Sequence, residues 1–318
     1  MTFKAATLAA LVLCAPTTGY PLLVAEQRAP EATSLLGKPL VPAEPAPAAK
    51  ARMEAQLAEA EAALAASPRS ADALIWVGRR QAYLGRYQQA IATFTRGIAA
   101  FPSDARFYRH RGHRYLTTRQ LAKAIEDFTR AAALTRGKPD EVEPDGQPNA
   151  RNIPTSTLQT NIWYHLGLAH YLTGNFEAAA RAYEEDLKIN PNDDNLVAVT
   201  HWAYMTARRR GREDDARRLL ERITKDLNVI ENGSYHRLLL MYKGELPEAE
   251  LMKTVEAGLE LVTTGYGVGN WHFYNGRPQQ ARAIWRRILN AEDQWPAFGY
   301  LAAEAEIARS GFGDLVIW

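Results

Sequence analysis

Residues 163–183 read WYHLGLAHYLTGNFEAAARAY, and the order of small and large residues in this stretch decides the fold. Gly167 is followed seven residues later by Gly174, and then come Ala179 and Tyr183. A glycine at position 174 can take the positive φ that ends a helix. Small residues such as Gly167 and Ala179 allow two helices to approach closely, and a large residue such as Tyr183 fills the space beside them.

The same order of residues recurs along the body of the chain. Ala90 and Phe94 return as Ala124 and Phe128, 34 residues later. The pattern of an alanine and a large residue continues at Ala179/Tyr183, Ala216/Leu220 and Ala281/Trp285. A turn position precedes each alanine by five residues, at Gly85, Arg119, Gly174, Gly211 and Gly276, with a weaker copy at Gly244. The intervals between these turns are 34, 55, 37, 33 and 32 residues, which predicts stacked repeats with one insertion of 21 residues.

The W-x2-L-G run at 163–167, the A-x3-Y run at 179–183 and Pro191 together resemble the signature of the tetratricopeptide repeat (TPR) family. The resemblance covers about residues 50–309. It implies an all-α fold, a right-handed superhelix or α-solenoid built from antiparallel helix pairs. We expect about twelve to fourteen helices and essentially no sheet. In this family the first helix of each pair lines the concave side, which is where peptide or protein partners bind.

The chain divides into segments of different composition. Residues 1–25 have the short apolar run of a secretory signal peptide, too short to span a bilayer as a helix. Residues 26–48 are rich in proline and alanine, which predicts an extended and mobile tether. Residues 49–309 hold about six repeats, with an acidic, proline-rich insertion at 136–158 that we expect to be a mobile arm beside the basic helix. Residues 310–318 are an apolar C-terminal tail, expected either to cover the last repeat or to dock a partner.

The N-terminus predicts a secreted or periplasmic protein. A secretory start, a proline-rich tether and a degenerate C-terminal half are similar to the periplasmic TPR lipoproteins of the NlpI type, and residues 190–193 give the best local match. The resemblance implies an envelope adaptor. Cys14 stands where a lipid-anchored cysteine would stand, although residues 11–13 before it lack the expected small side chain. The insertion at 136–158 also departs from that type.

Composition and motifs argue against several classes of protein. The chain has 38 Lys and Arg against 36 Asp and Glu, and a general nucleic-acid binder would be more basic. No nucleophile elbow, P-loop or zinc-protease motif occurs. The pairs His110/His113 and His165/His170 lack further ligands at helical spacing, so we expect no metal and no cofactor. The sequence therefore predicts a non-enzymatic interaction scaffold that has no catalytic residues.

The concave groove is the predicted binding surface. The residues expected to face it are Arg79, Arg106, Arg109, His113, Asn161, Tyr164, Tyr171, His201, Tyr266, Asn270 and Phe273. Six Lys and Arg residues and no acidic residue lie between Asp104 and Glu126, which favours an acidic partner segment because arginine pairs with carboxylates bidentately. A solvated surface is the other interpretation of this charge run. The alternative function is ligand binding or catalysis by the C-terminal cluster of Trp271, His272, Tyr274 and His201.

Overall fold

The computed structural model describes residues 28–253 and 255–310. The signal peptide predicted at 1–25 and, apart from Ser310, the tail predicted at 310–318 lie outside this range. In the described residues, two strands of two residues each, β1 (Ala32–Thr33) and β2 (Pro39–Leu40), form a hairpin that precedes fourteen α-helices. The helices are α1 (Pro47–Ala66), α2 (Ala71–Tyr83), α3 (Tyr87–Ala100), α4 (Ala105–Thr117), α5 (Leu121–Thr135), α6 (Leu158–Leu172), α7 (Phe176–Ile189), α8 (Asp193–Arg209), α9 (Glu213–Leu219), α10 (Gly233–Tyr242), α11 (Glu248–Met252), α12 (Gly258–Tyr274), α13 (Pro278–Leu289) and α14 (Phe298–Arg309). The all-α solenoid is confirmed.

Six antiparallel helix pairs, from α2/α3 to α12/α13, form the body of the described chain. The repeated alanine and large residue lie between the helices, since Ala90, Phe94, Ala124, Phe128, Ala179, Tyr183, Ala216, Leu220, Ala281 and Trp285 are all buried. The approach is close enough that a Cβ on Gly78 would lie 2.4 Å from the Phe94 ring. The pattern breaks in the fifth pair, where Ala249 is exposed and α11 is only 5 residues long.

The turn between the two helices of each pair has the predicted backbone conformation. All six turn residues have positive φ, namely Gly85, Arg119, Gly174, Gly211, Gly244 and Gly276. Arg119, with φ 62°, is the exception in residue type, because a side chain makes this conformation costly. A residue kept there against its backbone preference indicates that its side chain contributes something that glycine cannot.

The segment before the repeats is not the extended, mobile tether that its prolines predict. Residues 28–46 fold into the hairpin and pack against the array, and Leu40 is buried there. The prolines are compatible with this because the strands pair through only a few backbone bonds. The segment bonds to both ends of the array: Arg28 to the Leu84 carbonyl, the Gln88 amide to Glu31, the Leu35 amide to Glu304, and the Trp295 indole to the Val41 carbonyl.

The insertion is docked on the array at a few points, although most of its residues are exposed. Residues 136–157 have no regular helix, as their prolines require, but Gly146 is buried against Tyr83. The far end of the loop reaches the connection that leads into the fifth pair, where Asn149 and Thr155 donate to Glu231. The insertion therefore connects the first pair to the fifth.

An ion pair between the second repeat and the last helix closes the array. The Arg119 guanidinium lies 2.8 Å from Glu304 on α14, and the two side chains are only 2% and 1% exposed. Arg119 also donates to the carbonyls of Thr117 and Trp295. Removing one partner from such a pair leaves an uncompensated buried charge, which is strongly destabilising.

We expect Arg119→Gly to destabilise the protein, although glycine is the residue at the other five turns. The easier turn would by itself stabilise the fold by less than about 1 kcal/mol. The unpaired Glu304 should cost about 3–5 kcal/mol, so the net change in unfolding free energy is a loss. Urea denaturation measures this change.

The control is Arg210→Met, which breaks an exposed pair with Glu177 and should lower stability far less. A gain in stability for Arg119→Gly would show that the turn conformation matters and the ion pair does not.

Candidate functional site: the concave face

The first helices of the pairs bring most of the predicted groove residues together on one face, but this face is not open. Helix α14 lies in it and contacts α6, α12 and α13. Residues 299–307 of α14 are all buried. The helix crosses α12 so closely that a Cβ on Gly299 would lie 1.9 Å from the Val262 carbonyl oxygen. The last helix therefore occupies the groove and also caps the final helix pair.

Four of the predicted groove residues are buried and cannot face a partner in this structure: Tyr171, His201, Tyr266 and Asn270. The correction has a physical reason, since the polar groups of Tyr171, Tyr266 and Asn270 bond to each other and to Glu306 of α14. His201 is instead enclosed by the rings of Tyr235 and Tyr242. The hydroxyls of Tyr171 and Tyr266 lie 2.8 Å apart, and the Asn270 amide donates to Tyr171 at 2.6 Å. Arg209 donates to Glu306 at 2.7 Å.

The groove residues of the first pairs hold a segment of the chain itself. Arg109 Nε lies 2.8 Å from Glu143 Oε2, and both side chains are about 10% exposed (9% and 10%). The Asn161 amide donates to the same carboxylate at 3.2 Å. Arg79 donates to the Pro144 carbonyl at 2.8 Å, and Arg80 donates to the Gly146 carbonyl at 2.9 Å. An acidic, extended segment thus lies on Arg79, Arg109 and Asn161.

The remaining groove residues have other surroundings. Arg106 lies on the rim of the face and pairs with Asp104 and Asp72, its own neighbours in the array. These two carboxylates raise the pKa of Arg106, with the Asp104 bond as the main cause. Phe273 packs beside Arg209, whose guanidinium lies 4.7 Å from the ring centre. Arg106 is therefore unavailable to an acidic partner without the loss of an existing pair.

Buried histidines line the middle of the face. The rings of His113 and His165 lie 4.6 Å apart, and Phe298 at the start of α14 packs against both. Burial and the charge of Arg109 lower the pKa of His165 to about 3, and burial alone lowers that of His201 to about 3. These imidazoles are neutral at physiological pH.

An open cleft of about 370 Å³ remains at the start of α14. His113 and Phe298 form one side of it, and Ser234, Tyr235 and Glu260 form the other. Tyr164, another predicted groove residue, lies behind this cleft with its ring centre 6.3 Å from that of Phe298. The cleft is the part of the predicted groove that a side chain from outside can reach.

The C-terminal cluster of the alternative function does not converge on one pocket. His201 stacks between Tyr235 and Tyr242 and is fully buried. His272 lies elsewhere, between Glu248 and Arg277. In the range 28–253 and 255–310, no three His, Cys, Asp or Glu residues are placed to hold a metal ion. No helix of these residues is both long and apolar enough to cross a membrane.

Sequence reasoning missed the most important residues of this face. Glu304 and Glu306 occur in a helix that is otherwise almost entirely apolar, FGYLAAEAEIAR, and both are buried. Acidic residues are almost never fully buried unless they are paired. Two glutamates in an apolar helix, together with arginine at a glycine turn, are the signal that would have indicated ion pairs inside the groove.

The neutral histidines make stability depend on pH. Their pKa values are lowered in the folded state, so the unfolded chain binds more protons below about pH 6.5. We expect the unfolding free energy to fall from pH 6.5 toward pH 3, by at most about 1.4 kcal/mol per pH unit for each such histidine.

His201→Phe should make this acid loss shallower, because it removes one group that must charge on unfolding. His170→Phe is the control, since His170 is only half-buried and should change the slope less. Denaturation curves from pH 4 to 7.5 measure the slopes. An unchanged slope for His201→Phe would contradict a neutral, buried imidazole at this position.

Comparison with known proteins agrees with the repeat architecture. Models of the tetratricopeptide repeat family match residues 78–140 and 160–193. None of the curated proteins matches significantly. Among solved structures, the chain is similar to YrrB, described as a TPR protein with an unusual peptide-binding site, at 14% identity and a TM-score of 0.40, over 78% of this chain and 97% of that one.

Two further structures share a similar level of likeness. A tetratricopeptide repeat protein from Parabacteroides merdae has 14% identity and a TM-score of 0.47, over 81% of this chain and 94% of its own. A structure of Naa15/Naa10 bound to HypK-THB has 14% identity and a TM-score of 0.36, over 83% of this chain and 39% of that one. The two matched segments fall within the six stacked helix pairs, so the chain contains tetratricopeptide repeats.

Proposed function

We propose that this protein is an exported, non-enzymatic interaction scaffold whose first repeats bind an acidic, extended segment of a protein partner. The observation that carries the proposal is the intramolecular contact of residues 141–146 with Arg79, Arg109 and Asn161. The array already holds one segment of this chemistry. A partner segment with the same pattern would take its place.

The contact is chemically selective in two ways. Arg109 and Asn161 bind the Glu143 carboxylate, which selects an acidic side chain. Arg79 and Arg80 bind backbone carbonyls, which any extended peptide offers when it is not part of a helix. The site therefore requires one carboxylate and an irregular backbone, and prolines beside the acid, as in Pro144, favour the second requirement.

The chain's own loop competes with a partner. The loop is tethered at both ends, so its effective concentration at the site is high, in the mM range for short flexible links. A partner must therefore bind a second surface as well, and the open cleft beside Phe298 is a candidate. This arrangement favours partners that are large or that meet the protein at a membrane.

Export is part of the proposal and rests on the N-terminal sequence. The apolar run at 5–13 supports secretion to the periplasm or beyond, and an envelope adaptor role would suit that location. A lipid anchor at Cys14 would concentrate the scaffold at a membrane surface. Detection of a shortened N-terminus or of an acyl group by mass spectrometry of the protein purified from its host distinguishes the two forms.

The binding site is tested with the loop supplied as a separate peptide. In the variant, residues 136–157 are replaced by the four-residue connector 101–104, which joins α3 to α4. We expect a labelled peptide of residues 138–149 to bind this variant. Binding should weaken with salt, because salt screens the opposite charges of the separated peptide and variant. Fluorescence anisotropy measures the affinity, and circular dichroism checks that the variant keeps its helices.

Matched peptides and variants distinguish the contribution of the Glu143 carboxylate to the affinity from that of the peptide backbone. The peptide with Glu143→Gln should bind at least about tenfold more weakly, the equivalent of about 1.4 kcal/mol. The chain with its own loop should bind the unaltered peptide more weakly than the variant does. Equal affinity of both peptides for a folded variant would remove the acidic site from the proposal.

A further inference from the structure

A small cavity of about 120 Å³ lies beside the loop, between α2 and α4, and it is strongly basic. Three guanidinium groups, two imidazoles and one carboxylate line it: Arg79, Arg109, Arg114, His110, His113 and Glu143. The cavity has room for about four water molecules at roughly 30 Å³ each. The loop, through Glu143, forms one of its walls.

The three arginines have one carboxylate between them. Glu143 pairs with Arg109, whereas Arg79 donates to neutral groups, the Pro144 carbonyl and the Tyr83 hydroxyl. Arg114 forms no ion pair and no side-chain hydrogen bond with the residues that the structure describes. Its guanidinium lies 5.6 Å from the ring centre of Tyr87. The cavity is therefore left with two positive charges that no acidic side chain balances.

The two histidines do not balance this positive charge, and the charge instead helps to keep their imidazoles neutral. Burial is the main cause that lowers the pKa of His110 and His113, and the neighbouring arginines lower it further. Burial, with the charges of Arg109 and Arg79, also lowers the pKa of Arg114 to about 10. A neutral imidazole has one acceptor and one donor nitrogen. His110 Nδ1 accepts from Arg109 at 3.2 Å, which leaves its other nitrogen as a donor.

We infer that this cavity binds a small tetrahedral oxyanion, phosphate or sulfate. Arg79 and Arg114 are half-buried, and a half-buried guanidinium that no acidic side chain balances is stabilised when a counter-charge enters beside it. Arginine forks match the oxygens of phosphate and sulfate, and the imidazoles supply further donors. A carboxylate on a partner protein would first have to displace the loop, whereas an ion of five heavy atoms fits the space with the loop in place.

The experiment uses the full chain and inorganic phosphate as the probe. At pH 7.5 and constant ionic strength, replacement of chloride by phosphate or sulfate should raise the melting temperature, because binding to the folded state alone stabilises it. Isothermal titration calorimetry with phosphate gives the affinity. Arg114→Met should weaken phosphate binding at least about tenfold, and in chloride it should melt no lower than the wild type, since it removes an unbalanced charge.

Arg130→Met is the matched control, because Arg130 is an exposed arginine on α5 and should leave phosphate binding unchanged. Phosphate that stabilises the wild type no more than chloride overturns the inference, even if Arg114→Met fails to fold. So does an Arg114→Met protein that binds phosphate as tightly as the wild type. This experiment can fail while the peptide-binding experiment succeeds, and the reverse, because here the loop remains in place and the ligand is inorganic.

Discussion

The buried ion pair between Arg119 and Glu304 is the constraint on which the rest of the structure depends. It joins residues 185 positions apart in the chain, at a turn that would otherwise carry glycine. Because neither charge can be left unpaired at this depth, helix α14 must lie in the concave face. The N-terminal hairpin follows from the same requirement, since the Leu35 amide also bonds to Glu304.

This closure changes what a repeat array does. In an ordinary solenoid each repeat contacts its neighbours only, and stability is close to a sum of local terms. Here α14, the hairpin and the insertion each connect distant repeats, so the first and last pairs depend on each other. The concave face then serves two purposes: its C-terminal part is an interior core around Tyr171 and Arg209, and its N-terminal part holds an acidic loop of the chain itself.

The sequence predicted the features that depend on neighbouring residues, which are the turns and the helix pairs. It did not predict the features that depend on contacts between distant parts of the chain. Turns and helix pairs were predictable because a glycine or an alanine at a fixed spacing has a local effect. The convergence of Arg79 and Arg109 on one face followed from the same spacing, but the loop that occupies them did not. Proline-rich composition indicates an irregular backbone and does not distinguish a mobile segment from a docked one, which is why the tether and the insertion were predicted to move. The position of α14 was not predicted, because its buried glutamates pair with arginines that are far away in the chain.

Hydrogen exchange tests the closure most directly, because it needs no substitution. If α14 is held in the concave face by its buried ion pairs, the amides of residues 300–309 should exchange as slowly as those of α12. Both helices would then exchange through the same opening of the array. Mass spectrometry of the exchanged protein at neutral pH gives both rates in one sample. Exchange of α14 far faster than that of α12 would contradict the account, since it would mean that the helix leaves the groove while the repeats stay folded.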